Sequence, residues 1–449
     1  MTNHFGNLSR RLRGRRAPVA AILVAAVGTA GCGATVSAGN GHTAGTAGVS
    51  AGTTSSGRSA ATASPDGISP HAIERAYGVS PLLGTGIDGR GETVVLPETT
   101  IPPMTAADTN IHQDMAVFDK RYHLPAVKLT ISRALGYKGN PAIAEGEEVQ
   151  DAEMVHTIAP AATIAIMLIP QSVNEHASHY AELIRAAAQR GNIVSYSNNV
   201  CDSTSCLSAR QLAALNRALR YARDRHVSVF ASSGDGGVLS RSLRREVTAP
   251  ADNPLVTAVG GTTLTVDKDG AYASETAWDE DLGHPTSTGA ALSASGGGIA
   301  TRYPRPNYQN GLPGPGNHRG VPDVAAMSHP GMLSVTVSKG QVGTWAAGGT
   351  SESTPLWAGI AALADQDARR QLGFLNDGLY RIGHSAMYHK AFHDITTGSN
   401  TVTLPSGKQI NGYSTRPGWD LVTGWGSPDA QVLVPLLGKE VHPDDGQRL

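Results

Sequence analysis

Short apolar runs alternate with amphipathic stretches along most of the chain. Two stretches, Ala177–Gln189 and Ser208–Arg223, have the period of amphipathic helices. The apolar runs have the length and composition of buried strands, and they are Thr93–Leu96, Leu129–Ile131, Thr163–Ile169, Ile193–Ser197, Val227–Ser232 and Val256–Val259. Apolar strands joined through helices predict an α/β fold, with a parallel central sheet and helices on both faces.

The N-terminal stretch does not follow this pattern. Five arginines from Arg10 to Arg16 precede an apolar run, Ala17–Val27, that is shorter than a helix spanning a bilayer. This arrangement predicts a signal peptide over residues 1–31. The run ends at Thr29-Ala30-Gly31-Cys32, which is similar to a bacterial lipobox, so we expect a lipid on Cys32. Cleavage of the signal peptide without attachment of a lipid is the alternative. For the route of export, Ser9-Arg10-Arg11 is a weaker indication of the twin-arginine pathway.

The next segment is built from small residues. Residues 32–67 are almost entirely Gly, Ala, Ser and Thr, and such a segment cannot bury enough apolar surface to order itself. We therefore expect a tether over residues 32–67, a catalytic domain over residues 68–438 and a C-terminal tail over residues 439–449. The expected location is extracellular, with the domain held to the bacterial cell membrane through Cys32.

Charge and cysteine content narrow the class of partner. The chain has 36 Lys and Arg against 37 Asp and Glu, so it offers no basic surface for nucleic acid. Besides Cys32 it contains two cysteines, Cys201 and Cys206. We expect them to form a disulfide in an exported protein, with two unpaired thiols as the alternative.

A Gly-rich turn carries the first candidate for chemistry. Gly348-Gly349-Thr350-Ser351 leads into an apolar helical stretch. A serine at the start of a helix faces the positive end of the helix dipole, which favours the anionic intermediates of acyl transfer. An ordinary N-cap serine is the other interpretation of the tripeptide.

Two acidic positions form the second candidate. Read as a helix, the segment from Gly146 to Pro160 places Glu147 and Asp151 four residues apart on one face, so the two carboxyls can share a proton. Glu148 is also at helical spacing from Asp151. A solvated acidic helix face is the alternative.

The third candidate is Asp235, which lies between Gly234 and Gly236 at the end of a strand. An ordinary aspartate in a turn is the alternative interpretation.

Together these segments resemble the sedolisins, the serine-carboxyl peptidases. Gly349-Thr350-Ser351 with Pro355 is similar to the nucleophile motif that sedolisins share with subtilisins, whereas the subtilisin string His-Gly-Thr-His is absent from the sequence. The resemblance implies a subtilisin-like fold, with Ser351 as nucleophile, Glu147 as general base and Asp151 orienting that base. It also implies that a protonated Asp235 donates to the oxyanion. The loop Ser295–Gly298 is expected to line the substrate cleft, with a plain flexible loop as the alternative.

The resemblance also implies one structural calcium ion near the C-terminus. Two carboxylates with backbone carbonyls are a ligand set that suits Ca²⁺. The expected ligands are Asp394 and Asp420 through their side chains, and Ile395, Arg416 and Gly418 through their carbonyl oxygens. Two turn aspartates are the alternative interpretation. Arg416 stands where the family usually has Gly.

Three features depart from the family pattern. We expect no prodomain, because the tether leads directly to the segment that resembles the start of a mature domain. Asn198 stands where an aromatic residue usually supports the acid pair, and Glu98 begins a Glu-Thr-Thr where the family often has Glu-Leu-Gly-Gly. Glu98 is a further candidate for the carboxylate network, and His156 is the candidate base if the Glu147 scheme fails.

The expected function is that of an acid-active endopeptidase that hydrolyses proteins or peptides through an acyl-enzyme on Ser351. We expect a monomer with Ca²⁺ as its cofactor. The alternatives are an inactive envelope-anchored peptide-binding protein, which the missing prodomain and Asn198 would fit, and a tripeptidyl exopeptidase.

Overall fold

The computed structural model describes residues 67–99, 110–139, 146–174, 179–198, 201–202, 207–240, 243–279, 293–338, 340–404 and 406–447. All of them belong to one compact unit, formed by Gly57–His284 and Ala291–Leu449. The other unit, Met1–Ser56 with Pro285–Ala290, lies outside the described residues. The predicted signal peptide, the lipid site at Cys32, residues 32–66 of the tether and Cys206 are likewise outside them.

The described elements alternate between strands and helices over most of the chain. The helices are α1 Pro70–Ala76, α2 Ser80–Gly84, α3 Ile111–Tyr122, α4 Glu147–Ile158, α5 Gln171–Asn174, α6 Tyr180–Ala187, α7 Ala209–Asp224, α8 Thr350–Ala368, α9 Asn376–Gly383, α10 Tyr388–Ala391 and α11 Ala430–Glu440. The strands are β1 Thr93–Thr99, β2 Lys128–Arg133, β3 Thr163–Ile169, β4 Ile193–Tyr196, β5 Cys201–Asp202, β6 Ser228–Ser232, β7 Thr248–Ala249, β8 Thr257–Val266, β9 Tyr272–Ala277, β10 Gly298–Pro304, β11 His318–Val321, β12 Val324–His329, β13 Ser334–Ser338, β14 Gln341–Trp345, β15 Phe392–His393, β16 Val402–Thr403, β17 Gln409–Ile410 and β18 Ser427–Pro428. A 3₁₀ turn covers Asn307–Gln309.

A central sheet organises these elements. Its strands lie in the order β12-β8-β6-β4-β1-β3-β2, and each neighbouring pair in this order is parallel. The short meander strand β9 pairs antiparallel with β8. Every residue of β4 and β6 is buried, and so are the five inner residues of β1, which shows that both faces of the sheet are covered. The predicted α/β fold with helices on both faces is confirmed.

Helix α8 is the helix that positions the candidate site. It contacts five of the central strands and also α4 and α11, and its first sixteen residues are buried apart from Ser351. Gly359 lets α4 and α8 approach closely, because a Cβ on Gly359 would lie only 2.7 Å from the Ile158 side chain. The two helices that carry the candidate nucleophile and acids are therefore packed directly against each other.

Most predicted elements are present, with shifted ends. β1 continues three residues past its predicted end, through Pro97, because beyond Val95 it pairs with β3 only and the absent N–H of proline costs no bond to β4. At the C-terminus α11 runs to Glu440, past the expected domain end at residue 438. The chain after it stays attached to the fold, since Arg381 donates to Asp445 and to the carbonyl oxygen of Glu440. Among the described residues no helix is long and apolar enough to cross a membrane.

Candidate active site

Ser351 is the second residue of α8, at the end of a turn that only glycine accommodates well. Gly349 precedes the helix with φ 146°, a conformation that other residues rarely adopt. A Cβ on Gly349 would lie 3.1 Å from Ser351 Oγ and 3.3 Å from Asp235 Oδ2. The Ser351 hydroxyl and the Asp235 carboxyl therefore flank the same point, at the positive end of the α8 dipole.

Thr350 fixes the orientation of Asp235. Its backbone N–H and its hydroxyl both donate to Asp235 Oδ1, each at 2.8 Å. Gly234 N–H in turn donates to Thr350 Oγ1 at 3.1 Å. Because Oδ1 already accepts two hydrogen bonds, a proton on this carboxyl belongs on Oδ2, the oxygen that faces Ser351. The sequence does not indicate this role, because Thr350 stands in the motif only as a neighbour of the nucleophile.

The acid positions on α4 lie in a cluster of carboxyls rather than on a solvated helix face. Asp151 and Glu148 are buried, and Glu147 is half-buried at the first position of α4. Glu98, near the end of β1, is buried beside Asp151 and shares a hydrogen bond with it. The structure thus brings Glu98 into the same network as Glu147 and Asp151.

Burial and like charge raise the pKa values inside this cluster. Burial raises the pKa of Asp151 well above its usual range, and the neighbouring Glu147 raises it further. Burial does the same to the pKa of Glu98, and Asp151 and then Glu147 add to the effect. Carboxyls that interact this closely titrate as a group, so at acidic pH the cluster holds shared protons.

Ser197 is a member of the site that the sequence did not single out. It follows β4, and its hydroxyl contacts Asp151 Oδ2 and lies 3.1 Å from the carbonyl oxygen of Ser351. The Ser232 hydroxyl donates to the Ser197 carbonyl oxygen at 2.6 Å, which anchors the segment to β6. The signal available in the sequence was only that Ser197 ends a predicted central strand next to Asn198. Asn198 itself is half-buried.

The alternative base His156 is engaged elsewhere. It is buried on α4, with Nε2 at 3.0 Å from Asp119 Oδ1 and 2.9 Å from the Pro125 carbonyl oxygen. Both partners lie at or just after α3, away from the turn that holds Ser351. His156 therefore supports the packing of α3 on α4.

The Gly-rich loop after residue 294 lies beside the Asp235 turn. Ala294 N–H donates to the Asp235 carbonyl oxygen at 3.0 Å, and Gly296 N–H donates to the Gly234 carbonyl oxygen at 2.7 Å. A Cβ on Gly296 would lie 2.2 Å from the Ser233 carbonyl oxygen, so the close approach requires glycine. The loop Ser295–Gly298 is thus fixed by backbone hydrogen bonds next to Asp235, as a wall of the cleft would be.

The five predicted calcium ligands lie in one loop cluster. Gly418 N–H donates to both oxygens of Asp394, at 3.2 and 3.1 Å. Arg416 N–H donates to Asp420 Oδ2 at 3.1 Å. Burial raises the pKa of Asp420 to about 6. Burial raises the pKa of Tyr388 too, and Asp394 and then Asp420 raise it further, so both carboxyls are near the same phenol.

The charges of this loop fit a hard cation. Within the described part of the chain, neither Asp394 nor Asp420 pairs with a basic side chain, and the Arg416 guanidinium donates instead to the carbonyl oxygens of Pro313 and Trp419. The described residues contain no group of three or more His, Cys, Asp or Glu that could hold a metal. A site here would therefore depend on two carboxylates with backbone carbonyls, which is the predicted ligand set.

Comparison with known proteins adds relatives of similar design. The family model described as "Subtilase family" matches residues 137–382. Kumamolisin from Bacillus sp. (strain MN-32) is 29% identical over 386 residues, which are 84% of this chain and 64% of kumamolisin. Tripeptidyl-peptidase 1 from Homo sapiens is 30% identical over 260 residues, 53% of this chain and 42% of that protein.

A solved structure extends the likeness to the fold. Pseudomonas sedolisin, a serine-carboxyl proteinase complexed with two molecules of pseudo-iodotyrostatin, superposes with a TM-score of 0.71 at 25% identity. The match covers 85% of this chain and 100% of that one. The chain thus spans under two thirds of the length of the two curated relatives above, while it matches the whole of a solved peptidase.

Proposed function

This chain belongs to the subtilase family and, within it, to the sedolisins, and from that premise we propose that it is an acid-active serine-carboxyl endopeptidase of proteins or peptides. The observation that carries the proposal is the turn where Ser351 Oγ and Asp235 Oδ2 flank Gly349, at the start of a helix packed against the acid-bearing α4. A nucleophile, an oxyanion donor and a carboxyl network are the parts that acyl transfer needs.

In the proposed reaction Ser351 Oγ attacks the carbonyl carbon of the scissile peptide, and its proton passes to Glu147. The oxyanion that forms is stabilised by a hydrogen bond from protonated Asp235 and by the N-terminus of α8. Collapse of this intermediate expels the amine, which takes up the proton, and leaves an acyl-enzyme on Ser351. Water then hydrolyses the acyl-enzyme with Glu147 as base.

The two carboxyls need opposite protonation states, which confines activity to acid. Glu147 must accept a proton while Asp235 must hold one. An unperturbed carboxyl titrates near pH ~4, so both conditions are met mainly below neutrality. The test is cleavage of acid-denatured haemoglobin between about pH 3 and about pH 6, with Ser351→Ala and Glu147→Ala as controls. A wild type no more active than Ser351→Ala, or full activity near pH 8 that survives Glu147→Ala, contradicts the proposal.

A second candidate is a tripeptidyl exopeptidase, favoured by the similarity to tripeptidyl-peptidase 1. The two activities differ in their need for a free substrate N-terminus. Peptides with an acetylated N-terminus remain substrates of an endopeptidase and are not cleaved by an exopeptidase. Mass spectrometry of the products distinguishes internal fragments from tripeptides.

We also propose one structural Ca²⁺ ion held by the side chains of Asp394 and Asp420 and by the carbonyl oxygens of Ile395, Arg416 and Gly418. Bound there, the ion would neutralise the two carboxylates of the loop.

We further propose export of the chain with a lipid on Cys32, so that the domain lies outside the cell membrane. Mass spectrometry of the mature N-terminus tests this, and a free terminus after Cys32 in protein from the medium contradicts the anchor.

A further inference from the structure

The carbonyl group of the candidate nucleophile has an unusual hydrogen-bond partner. In an α-helix the carbonyl oxygen of residue i accepts from the N–H of residue i+4, so the natural donor to Ser351 would be residue 355. That residue is Pro355, which lies inside α8 and has no N–H. The Ser351 carbonyl oxygen instead lies 3.1 Å from Ser197 Oγ, just after the end of β4. Pro355 thus makes the nucleophile's carbonyl available to a side chain outside the helix.

The same hydroxyl contacts the acid on the neighbouring helix. Ser197 Oγ is in hydrogen-bond contact with Asp151 Oδ2. A serine hydroxyl has one proton, so it can donate to only one of its two partners while it accepts from the other. A carbonyl oxygen only accepts, so both contacts are hydrogen bonds when a protonated Asp151 donates to Ser197, which donates to Ser351. An ionised Asp151 would instead take the Ser197 proton away from the Ser351 carbonyl.

We propose that Ser197 is a positioning residue that couples the protonation state of Asp151 to the position of Ser351, and that Pro355 makes this coupling possible. This inference rests on the proposed peptidase function. It assigns to Ser197 no contact with substrate, only the alignment of α4 and α8 through β4. Burial supports the protonated state, because a buried carboxyl keeps its proton at higher pH than an exposed one.

Three single variants of the full chain separate this role from simple packing. Ser197→Ala removes the link, and we expect kcat to fall about 10-fold or more with KM changed less than about 3-fold. The alkaline limb of the pH–rate profile should move to higher pH, because activity no longer depends on a protonated Asp151. Ser195→Ala is the matched control. Its buried hydroxyl lies two residues upstream and has no hydrogen-bond partner among the described residues, so activity within about 2-fold of wild type is expected.

Pro355→Ala supplies the decisive contrast. It restores an N–H that competes for the Ser351 carbonyl, so kcat should fall although the helix gains a hydrogen bond and a better helix former. The melting temperature Tm, measured with Ser351→Ala in the background to prevent autolysis, should be at or above that of the parent. A packing defect would instead lower kcat and Tm together.

The double variant Ser197→Ala/Pro355→Ala should be no less active than Ser197→Ala alone, because both changes break one contact. Any one of three results overturns the inference. They are wild-type kcat in Pro355→Ala, effects that multiply in the double variant, and a Ser195→Ala variant as impaired as Ser197→Ala. If Ser197→Ala does not fold, the Pro355→Ala contrast decides. A wild type no more active than Ser351→Ala contradicts the peptidase function itself, whereas an active wild type with normal Pro355→Ala contradicts only the coupling.

Discussion

Thr350 donates two hydrogen bonds to one oxygen of Asp235 and leaves the other oxygen facing Ser351. This arrangement determines which oxygen of the carboxyl can carry the proton that an oxyanion needs. The backbone N–H of residue 350 is present whatever its side chain, so the specific contribution of threonine is its hydroxyl.

Thr350→Val keeps the shape of the side chain and removes that hydroxyl. We expect kcat to fall about 10-fold or more, because Asp235 is held by one donor instead of two and Gly234 N–H loses its acceptor. The alkaline limb of the pH–rate profile should move to higher pH, since losing a donor to the carboxylate favours the protonated form. Thr350→Ser is the control and should stay within about 3-fold of wild type. A Thr350→Val variant with wild-type kcat and pH profile contradicts the assigned role.

Residues with a role in one short motif could be predicted from the sequence, and their partners could not. Ser351 and Asp235 stand in Gly-rich turns that are visible in the local sequence, and the roles expected of them come from the resemblance to the sedolisins. The contact of Ser197 with Asp151 joins residues 46 positions apart, and that of Thr350 with Asp235 joins residues 115 apart. Such contacts depend on how β4, α4 and α8 pack, which no local pattern specifies.

At the scale of elements, the turn between β14 and α8 constrains the positions of Ser351 and Asp235. Gly349 has a positive φ, and any side chain there would press on both Ser351 and Asp235. The hairpin β13–β14 that leads into this turn was not predicted, because its second strand is mostly exposed and lacks the apolar run of a buried strand. β12 was missed too, since Ala and Met dilute its β-branched character.

Gly349→Ala should abolish activity with a limited loss of stability. The new methyl meets the two functional atoms, so we expect kcat/KM to fall about 100-fold or more, while backbone strain costs about 1–3 kcal/mol of unfolding free energy. Gly343→Ala in β14 is the control, because a Cβ there makes only ordinary contacts with Thr336, at 3.5 Å or more. Peptide hydrolysis and thermal melting measure the two effects. Activity in Gly349→Ala close to that of Gly343→Ala contradicts the geometry.

The loop cluster around Asp394 and Asp420 should respond to calcium as an element. Ca²⁺ in excess should raise Tm, since a ligand that binds only the folded state stabilises it. EGTA should reverse the effect. Asp420→Asn removes one carboxylate charge and should reduce the dependence on Ca²⁺, whereas the same exchange at the exposed Asp224 of α7 should leave it unchanged. A Tm that is equal in Ca²⁺ and in EGTA contradicts the site.

At the scale of the whole molecule, buried carboxyls outnumber buried basic side chains among the residues that the structure describes. Burial raises the pKa of Glu352 to about 8 and the pKa values of Asp365 and Asp252 to about 7. Each of these folded-state values is above the value of about 4 in an unfolded chain. The stability that each proton provides is therefore fully present below about pH 4 and is lost as the pH rises through the folded-state pKa.

One half-buried histidine acts in the opposite direction over part of this range. Burial lowers the pKa of His393 to about 4, so its contribution is present above an unfolded value of about 6.5 and is lost as the pH falls through about 4. It partly offsets the carboxyls below about pH 6.5. Above that pH the histidine is neutral in both states, and the carboxyls alone determine the trend.

The fold should therefore lose stability between about pH 6.5 and about pH 8. In the Ser351→Ala background we expect Tm to fall by at least about 5 °C over this interval, as thermal melts at constant ionic strength would measure. Adding Glu352→Gln should make the fall smaller, because an amide still accepts from Met332 N–H but cannot ionise. Glu182→Gln on the exposed face of α6 is the matched exchange and should leave the fall unchanged. A Tm that is equal or higher at pH 8 would mean that these carboxyls ionise in the folded protein without cost, and acid activity would then depend on the catalytic carboxyls alone rather than on a fold suited to acid.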